Sequence, residues 1–263
     1  MAIITLTTDF GTMDTYVGVM KGVILGIAPG VAIVDLCHEI PPRDILAGAL
    51  ALESAVDYFP KNTIHLAVVD PGVGGDRNAI AVQTERFAMV GPDNGIFTLA
   101  LAKSSPVGAV RLTNAGYQLA IICATFHGRD IFAPAAAYLA LGVDIMELGE
   151  PITELTKLSI PAPSIANGET ELTVLRADRF GNLITNLTRE EFETWRPIND
   201  RSLTVRMGEI DIGPIHRTYA DVESGNPVAY FGSGGRLEIG VRNGSAAEEF
   251  TDTRSIRVIA AKG

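Results

Sequence analysis

Apolar residues in the first half of the chain fall into two alternating kinds of run. Short continuous runs, Ile3 to Thr8, Ala32 to Leu36, Ile64 to Val69, Ala79 to Gln83, Phe87 to Val90 and Val107 to Leu112, predict strands covered on both faces, as in a mainly parallel sheet. Longer runs predict helices. One spans Tyr16 to Ala28, with Asp14 placed to cap it and Pro29-Gly30 to end it; a second starts at Asp44 and stops before Pro60. A short helix is expected over Ile96 to Ala102, after a Pro92-Asp93-Asn94-Gly95 turn, and another from a capping Asp130 to Leu141, stopped by Gly142. The alternation defines an α/β domain over residues 1–155, whose ligands are expected beyond the carboxyl ends of the strands.

The pattern then changes. Pro151, Pro161 and Pro163 interrupt a stretch without periodicity, which predicts a linker at 156–167. Beyond it, in a second domain at 168–263, Thr170 to Leu175, Leu203 to Met207, Pro227 to Phe231, Arg236 to Val241 and Ser255 to Ala260 read as strands separated by glycine-rich turns, with one helix near Arg189 to Trp195. These predict a small antiparallel barrel or sandwich. No internal repeat suggests a solenoid.

Composition narrows the setting. At 263 residues and 47% hydrophobic, the chain can bury one large core or two moderate ones. A net charge of -10 repels a phosphate backbone, so nucleic acid is not the expected partner. No apolar run approaches the roughly 20 residues that span a bilayer, and Met1 to Thr8 lacks the basic start of a signal peptide. The expected setting is cytoplasmic, with no membrane partner. Cys37 and Cys123 lie among apolar neighbours and read as buried thiols rather than a disulfide. Asn186-Leu187-Thr188 and Asn243-Gly244-Ser245 match the glycan acceptor pattern, which has no use inside the cell.

Polar residues concentrate in three loops that follow strands: Thr7-Thr8-Asp9-Phe10-Gly11, Asp70 through Arg77, and Thr125-Phe126-His127-Gly128-Arg129-Asp130. Asp70 and Arg77 bracket a loop with three glycines, which lets the guanidinium fold back onto the carboxylate in a bidentate pair. His127 is the third candidate, since an imidazole can accept a proton or hold a water. His38, His65 and His216 have no comparable loop and read as structural. The glycine loop has neither the Lys-Ser/Thr ending of a P-loop nor dinucleotide-fold spacing. Asp9, Asp70, Asp93 and His127 have the chemistry of a metal site, but no His-x-His or Asp-Asp cluster supports one, so no metal is expected. In the second domain, Asp178-Arg179-Phe180-Gly181-Asn182, Phe231-Gly232-Ser233-Gly234-Gly235 and Arg242-Asn243-Gly244-Ser245-Ala246 offer aromatic and amide contacts to a purine, or are ordinary turns.

Thr8-Asp9-Phe10-Gly11, Asp70-Pro71-Gly72-Val73-Gly74 with Arg77, Pro92-Asp93-Asn94-Gly95, Phe126-His127-Gly128-Arg129-Asp130, Phe180-Gly181-Asn182-Leu183 and Arg242-Asn243-Gly244-Ser245-Ala246 occur in order over nearly the whole chain. In this the chain resembles the S-adenosylmethionine hydroxide adenosyltransferases, relatives of fluorinase and chlorinase. The resemblance implies an α/β domain followed by a β-barrel, in a homotrimer whose sites lie between the first domain of one subunit and the second of its neighbour. It implies a substrate, S-adenosylmethionine, that is cleaved to adenosine and methionine without a cofactor. Asp70, Arg77 and His127 take the catalytic positions. Substrate binding is implied for Asp9 at the ribose hydroxyls, Asp14 at the methionine end and Asn182 at adenine. Phe10, Asn94, Phe126, Gly128, Asp178, Phe180 and Ser233 complete the pocket, with Arg242, Asn243, Gly244 and Ala246 on the adenine side.

Two departures from the halogenases favour water as nucleophile. His127 and Gly128 stand where fluorinase has tyrosine and serine, and only a short stretch separates Gln83 from Pro92, where the halogenases carry an insertion. A halogenase, a metal hydrolase and a non-catalytic sensor of adenosine or S-adenosylmethionine are the rival expectations.

Overall fold

A computed structural model describes residues 1–166, 169–195, 203–251 and 255–260, which form two compact units, Met1–Leu158 and Ser159–Gly263. In the first unit, β1 (Ile3–Thr8), β2 (Ala32–Cys37), β3 (Thr63–Val68), β4 (Ala79–Thr84), β5 (Phe87–Pro92), β6 (Pro106–Arg111) and β7 (Glu150–Pro151) form a seven-stranded sheet of order β2-β1-β3-β5-β4-β6-β7. β2, β1, β3 and β5 are parallel, and β4, β6 and β7 join antiparallel.

Strand direction gathers the loops. β4 runs opposite to both β5 and β6, so β6 ends, and β4 begins, at the same sheet edge where β1, β2, β3 and β5 end. The loops that follow β1, β3 and β6 therefore emerge at one edge.

Both faces of the sheet are covered, as the continuous apolar strands require. On one, α1 (Tyr16–Ile27) and α4 (Ala133–Ala140) bury Met20, Ile24, Ala133 and Ala136 against Ile4, Leu6, Leu66 and Val90. On the other, Leu52 of α2 (Ile45–Ala55) and Ala100 of α3 (Thr98–Lys103) pack with Ile80, Val82, Met89 and Phe97. Asp44 caps α2 by accepting the Ala47 amide at 2.9 Å. Two expected caps differ. Thr15, without a side-chain bond, is the N-cap of α1, and Asp14 is exposed outside it. Asp130 caps nothing: it lies in a π-helical turn, Gly128–Phe132, ahead of α4 and is fully buried.

The second unit comprises β8 (Ser164–Ala166), β9 (Glu169–Ala177), β10 (Leu183–Thr188), α5 (Arg189–Trp195), β11 (Leu203–Met207), β12 (Ile210–His216), β13 (Pro227–Phe231), β14 (Arg236–Val241), α6 (Ala246–Glu249) and β15 (Ser255–Ala260). Seven strands close in the order β10-β14-β13-β12-β11-β15-β9, with β9 pairing back onto β10, and β8 adds outside β9. The barrel is antiparallel except for the β12–β13 pair. Leu172, Val205, Leu237, Ile239, Ile256 and Val258 fill it.

Candidate active site

Asp70 follows β3, and Arg77 lies just ahead of β4, so the glycine loop crosses the end of β5, the strand between them, at the sheet edge. Gly74 has φ +75°, and a Cβ there would stand 2.6 Å from the Ala124 carbonyl oxygen, so only glycine lets this loop close on the one preceding His127. The Arg77 Nε donates to both Asp70 carboxylate oxygens at 3.0 Å, and Nη2 donates to Oδ2 at 2.5 Å. The same Nη2 reaches His127 Nδ1 at 2.8 Å. The Phe132 ring lies 5.3 Å from the guanidinium carbon and holds its plane. The Arg77 and Asp70 side chains are only 11% and 5% exposed, so this charge pair is screened little by solvent.

The contact between Arg77 and His127 decides the histidine's tautomer. A guanidinium only donates, so Nδ1 must be the bare, accepting nitrogen and the hydrogen of the neutral ring sits on Nε2. Burial and then the Arg77 charge push His127 below the usual histidine range, against opposing pulls from Asp70 and Asp130. A neutral ring at pH 7 follows.

Asp130 supports the loop that carries His127. Its carboxylate accepts the Cys123 amide at 2.7 Å and the Arg129 Nε and Nη2 at 2.5 and 2.9 Å, while its carbonyl accepts the Leu119 amide at 2.9 Å. Burial opposes its charge, but these donors outweigh burial and hold the carboxyl below its usual range. Cys123 and Cys37 are free and half-buried rather than core thiols.

An aromatic wall stands beside the trio. Phe10, Tyr16 and Phe126 meet pairwise with centroids 5.2 to 5.9 Å apart, mostly edge to face. Gly128 touches this wall, where a Cβ would stand 3.3 Å from the Phe126 ring. The Asp9 carboxylate accepts the Arg43 amide at 2.7 Å through Oδ2, and among the described residues its Oδ1 accepts no hydrogen bond. Asn94, expected at substrate, spends its amide inside the fold: Nδ2 donates to the Val69 carbonyl at 2.8 Å and Oδ1 accepts the Ile96 amide. Asp93 accepts the Thr156 amide at 2.8 Å. Asp9, Asp70, Asp93 and His127 form no metal-binding group; none of three or more potential ligands occurs among the described residues.

The barrel unit brings two of its expected loops together. Asp178 accepts the Phe180 and Asn182 amides and the Asn182 Nδ2, all at 2.9 Å, building the turn that leaves the Phe180 ring 77% exposed. Gly181 has φ +82°, and its carbonyl accepts the Ala247 amide at 2.9 Å, which pins this turn on the 242–247 loop. In that loop Arg242 donates to the Val222 carbonyl at 2.5 Å, Asn243 donates to Ser224 Oγ at 3.1 Å, Gly244 is exposed and Ala246 is buried. Ser233 is exposed on its own turn. Asn182 also donates to the Tyr219 hydroxyl, which leads through Tyr230 to Glu238. The contacts of Tyr16, Phe132 and this tyrosine pair go beyond what the sequence shows, since an aromatic residue carries no local sign of which distant neighbour it meets.

Fold and site together describe a two-domain enzyme, an α/β unit with a bonded polar trio at its strand ends and a β-barrel behind it in the chain. The chain belongs to the SAM hydroxide adenosyltransferase family, whose N-terminal domain matches residues 4–149 and whose C-terminal domain matches residues 172–254. It is 43% identical to the (R)-S-adenosyl-L-methionine hydrolase of Thermus thermophilus over 92% of either chain, and 39% identical to that of Salinispora tropica over 93% of this chain and 92% of the other. Matches to fluorinases run at 24–28% identity. An uncharacterized conserved protein from Thermotoga maritima has the same fold, with a TM-score of 0.88 and 31% identity over 98% of this chain and all of the other.

Proposed function

We propose that this protein hydrolyses S-adenosyl-L-methionine to adenosine and L-methionine by attack of water on the ribose C5′, and that its substrate is the (R) epimer at sulfur. The bonded Asp70–Arg77–His127 trio carries the reading, in a chain of this family. The epimer comes from the names of the hydrolases that it resembles. Gly128 supports water over halide, since a Cβ there would stand 3.2 Å from Met20 Sδ and 3.3 Å from the Phe126 ring, so a serine displaces a neighbour.

The sulfonium leaves as a neutral thioether, so no general acid is needed. What the protein supplies is alignment and a fate for one proton. Asp9 takes the ribose hydroxyls and Asp14 the methionine end, with Phe10, Phe126 and Gly128 as the wall along the sugar. Asn182, Phe180 and the loop from Arg242 through Asn243 and Gly244 to Ala246 take adenine, Asp178 and Ser233 complete that side, and Asn94 shapes the turn beside Asp70. His127 holds the water through its Nε2 hydrogen, because Nδ1 is taken by Arg77. As the C–O bond forms, the water becomes a protonated alcohol, a strong acid. The Asp70 carboxylate can take that proton, because its Oδ1, which accepts only the Nε hydrogen, keeps a lone pair for it.

Each site is completed by the second domain of a neighbouring copy in a homotrimer. The exposed Phe180 ring supports this, and a solution mass of one chain overturns it. To test the reaction, purified protein is given each epimer in oxygen-18 water, with and without chelator, and the products are weighed. Label in the adenosine 5′-hydroxyl from the (R) epimer, insensitive to chelator and lost in Asp70→Ala, is expected. Halide-dependent 5′-haloadenosine, or tight binding without turnover, overturns the reading.

A further inference from the structure

The reading above gives Asp9 to the ribose, and the bonds around Asp9 show what holds it there. In β2 the pairing with β1 slips: Leu6 faces Asp35, whereas Thr7 faces Cys37, so Leu36 is an extra, bulged residue. The slip brings His38, one residue beyond β2, alongside Thr8 at the end of β1. His38 Nδ1 lies 2.8 Å from Thr8 Oγ1, its Nε2 lies 2.9 Å from Asp35 Oδ1, and Lys21 of α1 reaches Asp35 Oδ2 at 2.6 Å. Thr8 Oγ1 in turn accepts the Phe10 amide at 3.3 Å, and the His38 carbonyl accepts the Gly11 amide at 2.8 Å.

This chain has one direction. The Asp35 carboxylate only accepts, so His38 Nε2 carries a hydrogen. Thr8 is fully buried and its oxygen already receives the Phe10 amide, so its hydroxyl hydrogen has His38 Nδ1 as the acceptor in reach. Thr8 and His38 thus hold the residues on both sides of Asp9, while the Arg43 amide, at a left-handed φ of +69°, holds the Asp9 carboxylate itself at Oδ2. Among the described residues, none of the bonds in this relay runs to the Asp70–Arg77–His127 trio.

We propose that Thr8, His38 and Asp35 are positioning residues that aim the free Oδ1 of Asp9 at the ribose diol, and so set affinity for the nucleoside sugar rather than the rate of the chemical step. The inference rests on Asp9 as the ribose ligand.

The test uses the full chain and two ligands, adenosine and 2′,3′-dideoxyadenosine, bound to wild type, Thr8→Val, Thr8→Ser, His38→Phe and Asp9→Asn, with melting temperatures to confirm folding. Thr8→Val keeps the shape and removes the hydroxyl. It is expected to weaken adenosine by about tenfold, and dideoxyadenosine less than about twofold, with KM rising more than kcat falls. Thr8→Ser restores adenosine binding, and His38→Phe behaves like Thr8→Val. A merely structural role weakens both ligands alike. If Asp9→Asn separates the two ligands while Thr8→Val and His38→Phe do not, the relay has no such role. If Asp9→Asn fails to separate them, the ribose assignment itself falls, and the inference with it.

Discussion

The α/β unit and the barrel unit hold their site residues by different means. In the first, side chains bind side chains across loops far apart in sequence: Arg77 joins Asp70 to His127, fifty positions further on. In the second, backbone groups set the path of the loops: Asp178 accepts the amides of Phe180 and Asn182, and a carbonyl of one loop takes an amide of the next, with side-chain bonds such as Asn182 to Tyr219 added to that frame. A substitution in the first kind of site removes chemistry from a loop that keeps its path. In the second, it moves the path.

The largest effect tests the first half of this contrast. Asp70→Ala is expected to lower kcat by about a thousandfold or more, and to destabilise by about 3 kcal/mol because a buried guanidinium is left uncompensated. Steady-state kinetics and denaturant unfolding measure the two together; a variant within tenfold of wild type breaks the assignment.

His65 sharpens the contrast, as a histidine lowered by burial with no part in a site. It lies between Phe59 and Phe87, with Nδ1 on Thr5 at 2.8 Å, and burial pushes it down to about 4. Between pH 6.5 and 4 the unfolded chain holds a proton that the folded chain refuses, so stability falls as pH falls through that window and is unaffected above it. The loss reaches about 3 kcal/mol at pH 4. His65→Leu is expected to flatten that slope in denaturant melts without changing kcat at pH 7.

Gly181→Ala tests the second half. A Cβ there would stand 2.1 Å from Ser245 Oγ on a backbone at φ +82°, so a cost of about 2 kcal/mol and weaker adenosine binding are expected. Ser245→Gly in the same chain relieves the clash and recovers part of both; an unchanged melting temperature in the single variant counts against it.

The smallest effect concerns pH and rate. Protonated His127 cannot accept from Arg77 and puts two cations side by side, so kcat/KM is expected to fall on acidification, with its midpoint below the usual histidine range and a plateau at neutral pH. A midpoint above 7 contradicts the neutral tautomer.

Asp70 and Arg77 were legible as candidates because a glycine-rich loop between an acid and a base is a local feature, and His127 because its imidazole sits in a polar loop. Asp130 does not cap the helix as the sequence suggests: acid followed by an apolar run looks the same whether the first turn is α or π, and only the Ala133 amide bonding the Gly128 carbonyl, five residues back, separates the two. β12 has no clean alternation in the sequence, because Gly213 and Pro214 interrupt it, yet Pro214 sits opposite Thr204 in the ladder. His38 was set aside as structural. Its connection to Thr8 depends on a bulge opposite β1, and a bulge is a property of two strands.

The sequence alone therefore determined most of the elements and their layers, since periods of two and 3.6 residues and turn chemistry are local properties of the chain. It also singled out the candidate site residues Asp70, Arg77 and His127. Tertiary structure decided which nitrogen of His127 is bare, what Asp130 holds and how His38 reaches the Asp9 loop. Each of these depends on the direction of a hydrogen bond or the register of a strand, and both are set by partners distant in the chain.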